Sequence, residues 1–491
     1  LAFFLPKSEK KVEQGMILKI TRLILICLLF IGCAKENTAE KNQTVIRDWD
    51  QIQKDSTLTI LAENSPASYF VYKGKNMGYE YDLIKEFADD HHLRLKVTMV
   101  NNLDDMIHYL DSGVGDIIAC NLSMTEERKE LLSFTNPHLY TYQVLVQRKP
   151  ANYKKLSKQA LQDSLISDVS GLQNKTIHVW KNSTYYTQLM KLNTIFGLNM
   201  NIIGTEGDLV SGELIRMVSE GEIDYTVTEE NVAKIELKNY ANLDIKVHVS
   251  DKDSIGFGLR KTSPELKKKF DAWLKAKENE STIAEVNRTY FDNNQVTSKA
   301  TKPFSSVSGD EISQYDAIIK RESEKMGWDW RLVSAIIYQE SKFETYKKSW
   351  AGAFGIFQFM PATARAYGIT PESSAEDQII AGVKKLSKNY QIWLKVIPDT
   401  TESIKFTLAS FNAGRPHVDD ARALCVKHKL NPAVWTGNVD SMLTNLYKPT
   451  YYQDPVVKYG YCRGAETHKF VIEVLQRFEE YKAAFPDKPK E

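Results

Sequence analysis

Glu340 ends a stripe of apolar residues, Leu332, Val333, Ile336 and Ile337, that recur at helical spacing behind Asp329, a residue able to cap the helix. It follows Ile337 by three and Ile336 by four, which places its carboxyl at the end of the apolar face. A carboxyl carried toward a buried surface is disfavoured in its charged form, so its pKa rises and it is suited to donate a proton near neutrality. Farther on, Gly352 and Gly355 permit a tight backbone, Pro361 suits the first turn of a second helix, and Gly368 can end it. The turn carries Gln358, with two donors and an acceptor, toward the end of the first helix, where a sugar amide or hydroxyl could be read. Taken alone, a glutamate in a helical hairpin is more often a solvated charge.

Here the pieces come as an ordered set. Glu340-Ser341, Gly355-Ile356-Phe357-Gln358, Met360-Pro361-Ala362-Thr363-Ala364 and Asn412-Ala413-Gly414 follow one another within about 75 residues. This set resembles the lytic transglycosylase domain of the soluble-lytic-transglycosylase, goose-lysozyme-like kind. The resemblance continues through Tyr451-Tyr452, Tyr459-Gly460-Tyr461 and Arg463-Gly464-Ala465-Glu466. It implies cleavage of the β-1,4 bond between N-acetylmuramic acid and N-acetylglucosamine in peptidoglycan strands. Glu340 would protonate the glycosidic oxygen while the muramoyl N-acetyl group stabilises the cation, then accept the C6 hydroxyl proton as a 1,6-anhydro ring closes. The resemblance also implies substrate contacts from Ser341, Ser349, Gln358 and Asn412. Phe411 stands where the family usually has Tyr, so a hydroxyl is missing; Tyr459 or Tyr461 either supplies one or packs in the core.

A glycosidase normally needs two carboxylates. This segment has one strong candidate, because Asp377, Asp419 and Asp420 read as solvated helix charges. One carboxyl suffices if the substrate supplies the second group. The alternatives are a hydrolytic muramidase, in which water replaces the C6 hydroxyl, and a receptor that only grips glycan.

The earlier chain alternates strands and helices. Leu58 to Leu61, Leu93 to Val100 and Asp116 to Ala119 read as strands around helices Tyr81 to Ala88 and Leu103 to Leu110. A second unit follows, with strands Thr176 to Val179, Ile202 to Ile203 and Asp224 to Val227 and helices Tyr185 to Phe196 and Leu209 to Ser219. The chain then returns through Ile255 to Leu259, which predicts two α/β lobes and a cleft. Gly78-Tyr79-Glu80-Tyr81-Asp82-Leu83, Gly115-Asp116-Ile117, Thr125-Glu126-Glu127-Arg128 and Phe134-Thr135-Asn136-Pro137 resemble the amino-acid-binding family of periplasmic solute-binding proteins. That resemblance implies that Arg128 grips an α-carboxylate with its planar fork and that Ser123 touches the same ligand. Ser183 and Thr184 would set a helix N-terminus against the carboxylate, and Glu229 would take the amino group. Asn121, Asn182 and Tyr225 depart from the family pattern, so a muropeptide stem, a free amino acid or no ligand at all are open.

A chain of 491 residues with 42% hydrophobic and 26% charged content predicts two or three ordinary globular domains. A net charge of +1 without single-sign tracts gives no footprint for nucleic acid. Residues 1–33 read as an upstream extension before Met16 and a lipoprotein signal peptide whose apolar run ends in Gly32-Cys33. Lipidation of Cys33 would anchor the chain to the membrane, with the periplasmic face of the outer membrane as the expected location. A tether is expected over 34–55, the solute-binding-like domain over 56–295, a Ser/Thr-rich linker over 296–310 and the transglycosylase-like domain over 311–485. The fold class is therefore multidomain: an α/β two-lobed periplasmic-binding-protein fold followed by an all-α lysozyme-like domain. No cofactor or metal is expected. Cys425 and Cys462 could pair in an oxidising compartment, though separate buried thiols are the better expectation.

Overall fold

Short β-branched runs, each followed by an amphipathic helix, build the first half of the chain as expected. The computed structural model describes residues 45–487, except 101, 182, 206–210, 277–278, 293–298, 301, 308 and 350–351. The signal segment, Cys33, most of the tether and Asn182 thus lie outside the described residues. Among those described, no helix is long and apolar enough to cross a membrane.

The tether ends sooner than its polar composition implied. Trp49–Asp55 is a helix, α1, whose Asp48 and Gln51 close a capping box and whose Trp49 and Ile52 are buried. Seven residues are too few to display a helical period, which is why the sequence pattern hid it.

In the first lobe, β1 (Thr57–Ala62) leads to a hairpin of β2 (Phe70–Tyr72) and β3 (Lys75–Met77), then α2 (Tyr79–Asp90) and β4 (Arg94–Met99). After α3 (Leu103–Asp111) come β5 (Ile117–Ala119), α4 (Glu126–Leu131) and β6 (Ser133–Phe134). β7 (Leu139–Thr141) crosses to the second lobe, where β8 (Gln143–Arg148), β9 (Thr176–Trp180), α5 (Thr184–Phe196), β10 (Asn201–Thr205), α6 (Ser211–Glu220), β11 (Tyr225–Glu229), α7 (Glu230–Glu236) and β12 (Leu243–Asp244) follow. β13 (Asp253–Ile255) pairs antiparallel with β7 on the way back, and β14 (Gly258–Leu259) re-enters the first sheet ahead of α8 (Pro264–Lys275). The sheets run β4-β1-β5-β14-β6 and β10-β9-β11-β8-β12. In each, the parallel strands lie side by side, β4-β1-β5 and β10-β9-β11, and an antiparallel strand, β14 or β8, pairs next to them; β1 and β5 are buried on both faces, whereas the edge strand β10 is not.

Residues 304–306 of the Ser/Thr-rich linker are stitched down rather than free. Ser306 donates its N–H to Val71 O at 2.8 Å and accepts from Val71 N at 2.9 Å, while Lys73 N donates to Phe304 O at 2.8 Å. Ser305 and Ser306 are buried beside β2.

The second half is helical: α9 (Asp316–Met326), α10 (Trp330–Ser341), α11 (Pro361–Ala366), α12 (Ala375–Leu394), α13 (Thr400–Ala413), α14 (Arg415–Lys427), α15 (Asp440–Asn445) and α16 (Gly464–Ala484). Every side chain from Arg331 to Tyr338 is buried, so α10 is the central helix around which the others pack. Asp329 caps it by accepting from Arg331 N at 2.9 Å, and the left-handed Lys342 (φ 56°) ends it directly after Ser341. The same helix reaches the first lobe. Arg477 and Tyr481 on α16 both donate to Gly74 O, at 3.1 and 2.9 Å, and Arg477 lies 4.1 Å from the centre of the Tyr338 ring. Asn76 donates to Glu480 at 2.8 Å across the same seam.

Candidate functional site

Glu340 sits in the last turn of α10, half-buried. Desolvation pushes its pKa up to about 7, and the cations Lys385 and Lys347 pull it partly back. No hydrogen bond among the described residues reaches its carboxyl, and no second carboxylate acts on it. Such a carboxyl is a poised proton donor.

The loop after α10 wraps back on it. Lys347 donates through Nζ to the Glu340 carbonyl at 2.9 Å, and Gln358 Nε2 donates to Lys347 O at 3.1 Å and Gly355 O at 2.8 Å. Both Gln358 donors are thereby directed into the turn, which leaves its carbonyl oxygen as the group free to meet a donor; the expectation of a two-way sugar reader narrows to an acceptor. Ser341 does not fit the expected substrate contact. It is fully buried, and its hydroxyl donates to Ile356 O at 2.8 Å, tying the end of α10 to the turn. Ser349 accepts from Ala353 N at 3.0 Å and lines a separate cavity of about 380 Å³ with Phe354, Pro361 and Arg365.

Asn412, near the end of α13, is exposed and its side-chain oxygen accepts from Thr467 Oγ1 on α16 at 2.7 Å, which orients the amide. Phe411 is buried against Phe357, with ring centres 6.0 Å apart. Tyr459 and Tyr461 do not pack in the core: they are 59% and 54% exposed. Asp420, expected as a solvated charge, is buried and accepts from the N–H groups of Lys458 and Tyr459, both at 2.8 Å; it fixes the loop that carries those tyrosines. Asp377, exposed in the first turn of α12, accepts from the hydroxyl of the capping Ser374, and Asp419 faces Arg415 and Arg422, as solvated residues do. Cys425 and Cys462 are both free and buried, each thiol pushed up to about 11 by burial.

Sequence reasoning missed Lys385. On α12, its Nζ donates to Phe411 O at 3.2 Å and lies 3.8 Å from the centre of the Phe411 ring. Burial brings its pKa down to about 8, with Glu340 opposing that fall. One signal was available: Lys385 follows by one helical turn Gly382, whose bare Cα face is packed so tightly on Phe357 that a Cβ would lie 2.3 Å from its ring.

Between the lobes lies a second site, a cavity of about 420 Å³ lined by Arg128, Ser183, Thr184 and Glu229 together with Glu63 and Cys120. Ser123, expected to touch the same ligand, is buried and does not line the cavity; it donates to Glu229 at 3.2 Å and accepts, through its carbonyl, from Arg128 at 3.0 Å, so it holds both of those side chains instead. Ser183 caps α5 by accepting from Tyr186 N at 3.3 Å. Asn121, which departs from the family pattern, links the two lobes by accepting from Asn231 Nδ2 at 2.7 Å. Burial pushes Glu229 up to about 8 and Glu63, which the sequence did not single out, up to about 7.

Residues 57–293 match the family model of bacterial extracellular solute-binding proteins, family 3, and residues 317–429 match that of the transglycosylase SLT domain. Two relatives span nearly the whole chain. "Membrane-bound lytic murein transglycosylase F" of Desulfosudis oleivorans is 28% identical over 462 residues, 94% of this chain and 97% of its own length. The protein of the same name in Pseudomonas fluorescens is 28% identical over 459 residues, 92% of this chain and 88% of its own. Among solved structures, an ancestral arginine-binding protein bound to arginine is 23% identical, with a TM-score of 0.40, covering 48% of this chain and 98% of that one.

Proposed function

We infer that this chain, which joins a family 3 solute-binding domain to a transglycosylase SLT domain, is a peptidoglycan lytic transglycosylase. The observation that carries the chemistry is a lone, desolvated Glu340 carboxyl, half-protonated near pH 7, with no acidic partner acting on it. Protonated, it gives its proton to the glycosidic oxygen between N-acetylmuramic acid and N-acetylglucosamine. The substrate's own N-acetyl group takes the place of the second carboxylate that a glycosidase ordinarily supplies. The Glu340 carboxylate left behind then accepts the C6 hydroxyl proton, and ring closure gives a 1,6-anhydro end without water. The Gln358 carbonyl and the Asn412 amide orient the sugars, and the exposed Tyr459 and Tyr461 offer ring faces to them.

The solute-binding domain takes an amino acid or a peptide stem, its carboxylate on Arg128 at the capped start of α5 and its amino group on Glu229. Ligand-dependent lobe closure alters access to Glu340, a coupling that requires the ligand to favour one lobe arrangement over the other. The chain is held at the outer membrane, on its periplasmic face, by lipid on Cys33.

Mass analysis of products from purified cell wall tests the reading. Anhydro ends from the wild type and none from Glu340→Gln are expected. Products one water heavier would make the enzyme a muramidase, and intact wall would make the chain a binding receptor.

A further inference from the structure

The cleft between the lobes does not end at Arg128 and Glu229. Its cavity shares Glu63 and Val232 with an adjoining chamber of about 390 Å³, framed by residues 63–67 of the first lobe, the start of α6 and the end of α7. Val307 of the linker also lines this chamber. Asn64 ties that segment to the lobe by donating to Ser306 O at 2.7 Å and accepting from the Ser306 hydroxyl at 2.8 Å. An occupant of the chamber would touch both lobes and the linker.

Glu236 on α7 gives the chamber its polarity. It is 5% exposed and lines the cavity, and one carboxyl oxygen accepts from Asn239 at a long 3.4 Å. The other has no partner among the described residues and faces Gly212, where a Cβ would lie 3.4 Å from it. Glu63, at the junction of the two cavities, accepts at its carboxyl from Ser65 Oγ at 3.1 Å. The cations on the neighbouring elements are taken: Arg216 by Glu213, Glu220 and Glu222, Lys234 by Glu230, and Lys238 by the carbonyls of Tyr290 and Phe291. Burial raises the Glu63 and Glu236 carboxyls to about 7, and no cation opposes that rise in either.

We propose that this chamber is a primary-ammonium site: Glu236 receives an ammonium that enters past Glu63, carried either by the far end of a ligand whose carboxylate lies on Arg128 or by a free amine. A buried acceptor without a partner favours a ligand that brings a donor, and a carboxyl favours a cationic one. One free oxygen suits a compact ammonium, whereas the planar fork of a guanidinium is matched by two. The first source rests on the cleft being a site for amino acids or peptides; the second does not.

The test is isothermal titration of the full-length protein with three probes: lysyl-alanine, norleucyl-alanine, which lacks only the side-chain ammonium, and 1,5-diaminopentane, which has no carboxylate. Lysyl-alanine should bind on the order of 10-fold more tightly than norleucyl-alanine, and Glu236→Gln, its fold verified by circular dichroism, should bring the two dipeptides to one affinity. A free-amine source shows as 1,5-diaminopentane binding that Glu236→Gln abolishes and Arg128→Ala leaves in place. Equal affinity of the two dipeptides for the wild type, with no binding of the diamine, would overturn the proposal; so would a preference for lysyl-alanine that survives Glu236→Gln. The wild-type comparison needs no variant, so it decides even if Glu236→Gln fails to fold. Norleucyl-alanine held through Arg128 with nothing gained from the ammonium would remove the chamber and leave the cleft reading standing. Diamine held through Glu236 with neither dipeptide bound would do the opposite.

Discussion

Glu340 owes its chemistry to where a helix stops. Lys342 turns left-handed directly after Ser341, so the carboxyl lies in the last turn of α10 at the edge of a core rather than inside it. There it is desolvated enough to hold a proton near neutrality and still open enough to lose one. Replacing it by Gln should lower anhydro-product formation at least ~100-fold while leaving the fold intact, measurable by product release from cell wall. Because the first step needs the protonated form, wild-type activity should fall as pH rises through about 7, the value to which burial has raised this carboxyl. A profile flat from pH 6 to 9 would contradict both statements. Glu340 was legible in the sequence because its spacing from Ile336 and Ile337 fixes its face. Lys385 was not, because Lys384-Lys385 in an amphipathic helix has the look of solvated charge. What distinguishes it is the partner it finds on α13, a contact no local pattern encodes.

At the scale of elements, the turn between α10 and α11 sets the site. Gly355 has φ 81°, and a Cβ there would lie 2.1 Å from Gln378 Oε1, the atom that accepts from Ile356 N at 2.8 Å. Gly355→Ala should therefore cost stability by ~1–3 kcal/mol and displace Gln358, lowering activity more than the stability loss explains; denaturant melts and product assays separate the two. The loop bearing the exposed tyrosines depends on Asp420 in the same way. Asp420→Ala removes acceptors for two backbone N–H groups and should raise KM for glycan strands with the anhydro products unchanged. Sequence periodicity found the central helix α10 and the central strands of both sheets. It missed α1, too short to show a period. It also missed the fastening of residues 304–306 to β2, since those bonds join positions more than 200 apart in the chain. Asp420 was read as solvated because its oxygens face a loop almost forty residues on.

Across the whole molecule, several carboxyls share one direction of shift. Desolvation is the largest cause in each, raising Glu63, Glu236 and Glu340 to about 7, Glu229 to about 8, and Asp82 and Asp316 to about 6. A carboxyl whose folded pKa exceeds its unfolded value keeps a proton that the unfolded chain has released. Between the unfolded value near 4 and these raised values, the native state binds more protons, so stability falls as pH rises. The melting temperature should thus be higher near pH 5 than near pH 8, and calorimetry showing the reverse would count against these burial assignments.

The seam at Gly74 bears on how such a chain can be taken apart. Its backbone oxygen receives two side chains of α16, and a Cβ there would lie 2.5 Å from both the Tyr338 ring and the Tyr481 hydroxyl. A truncation that begins at residue 311 would leave Tyr338, Arg477 and Tyr481 facing water where they now have a lid of protein. The solute-binding half and the transglycosylase half are consequently poor candidates for separate life: the severed enzyme would inherit a sticky scar two residues from its own acid.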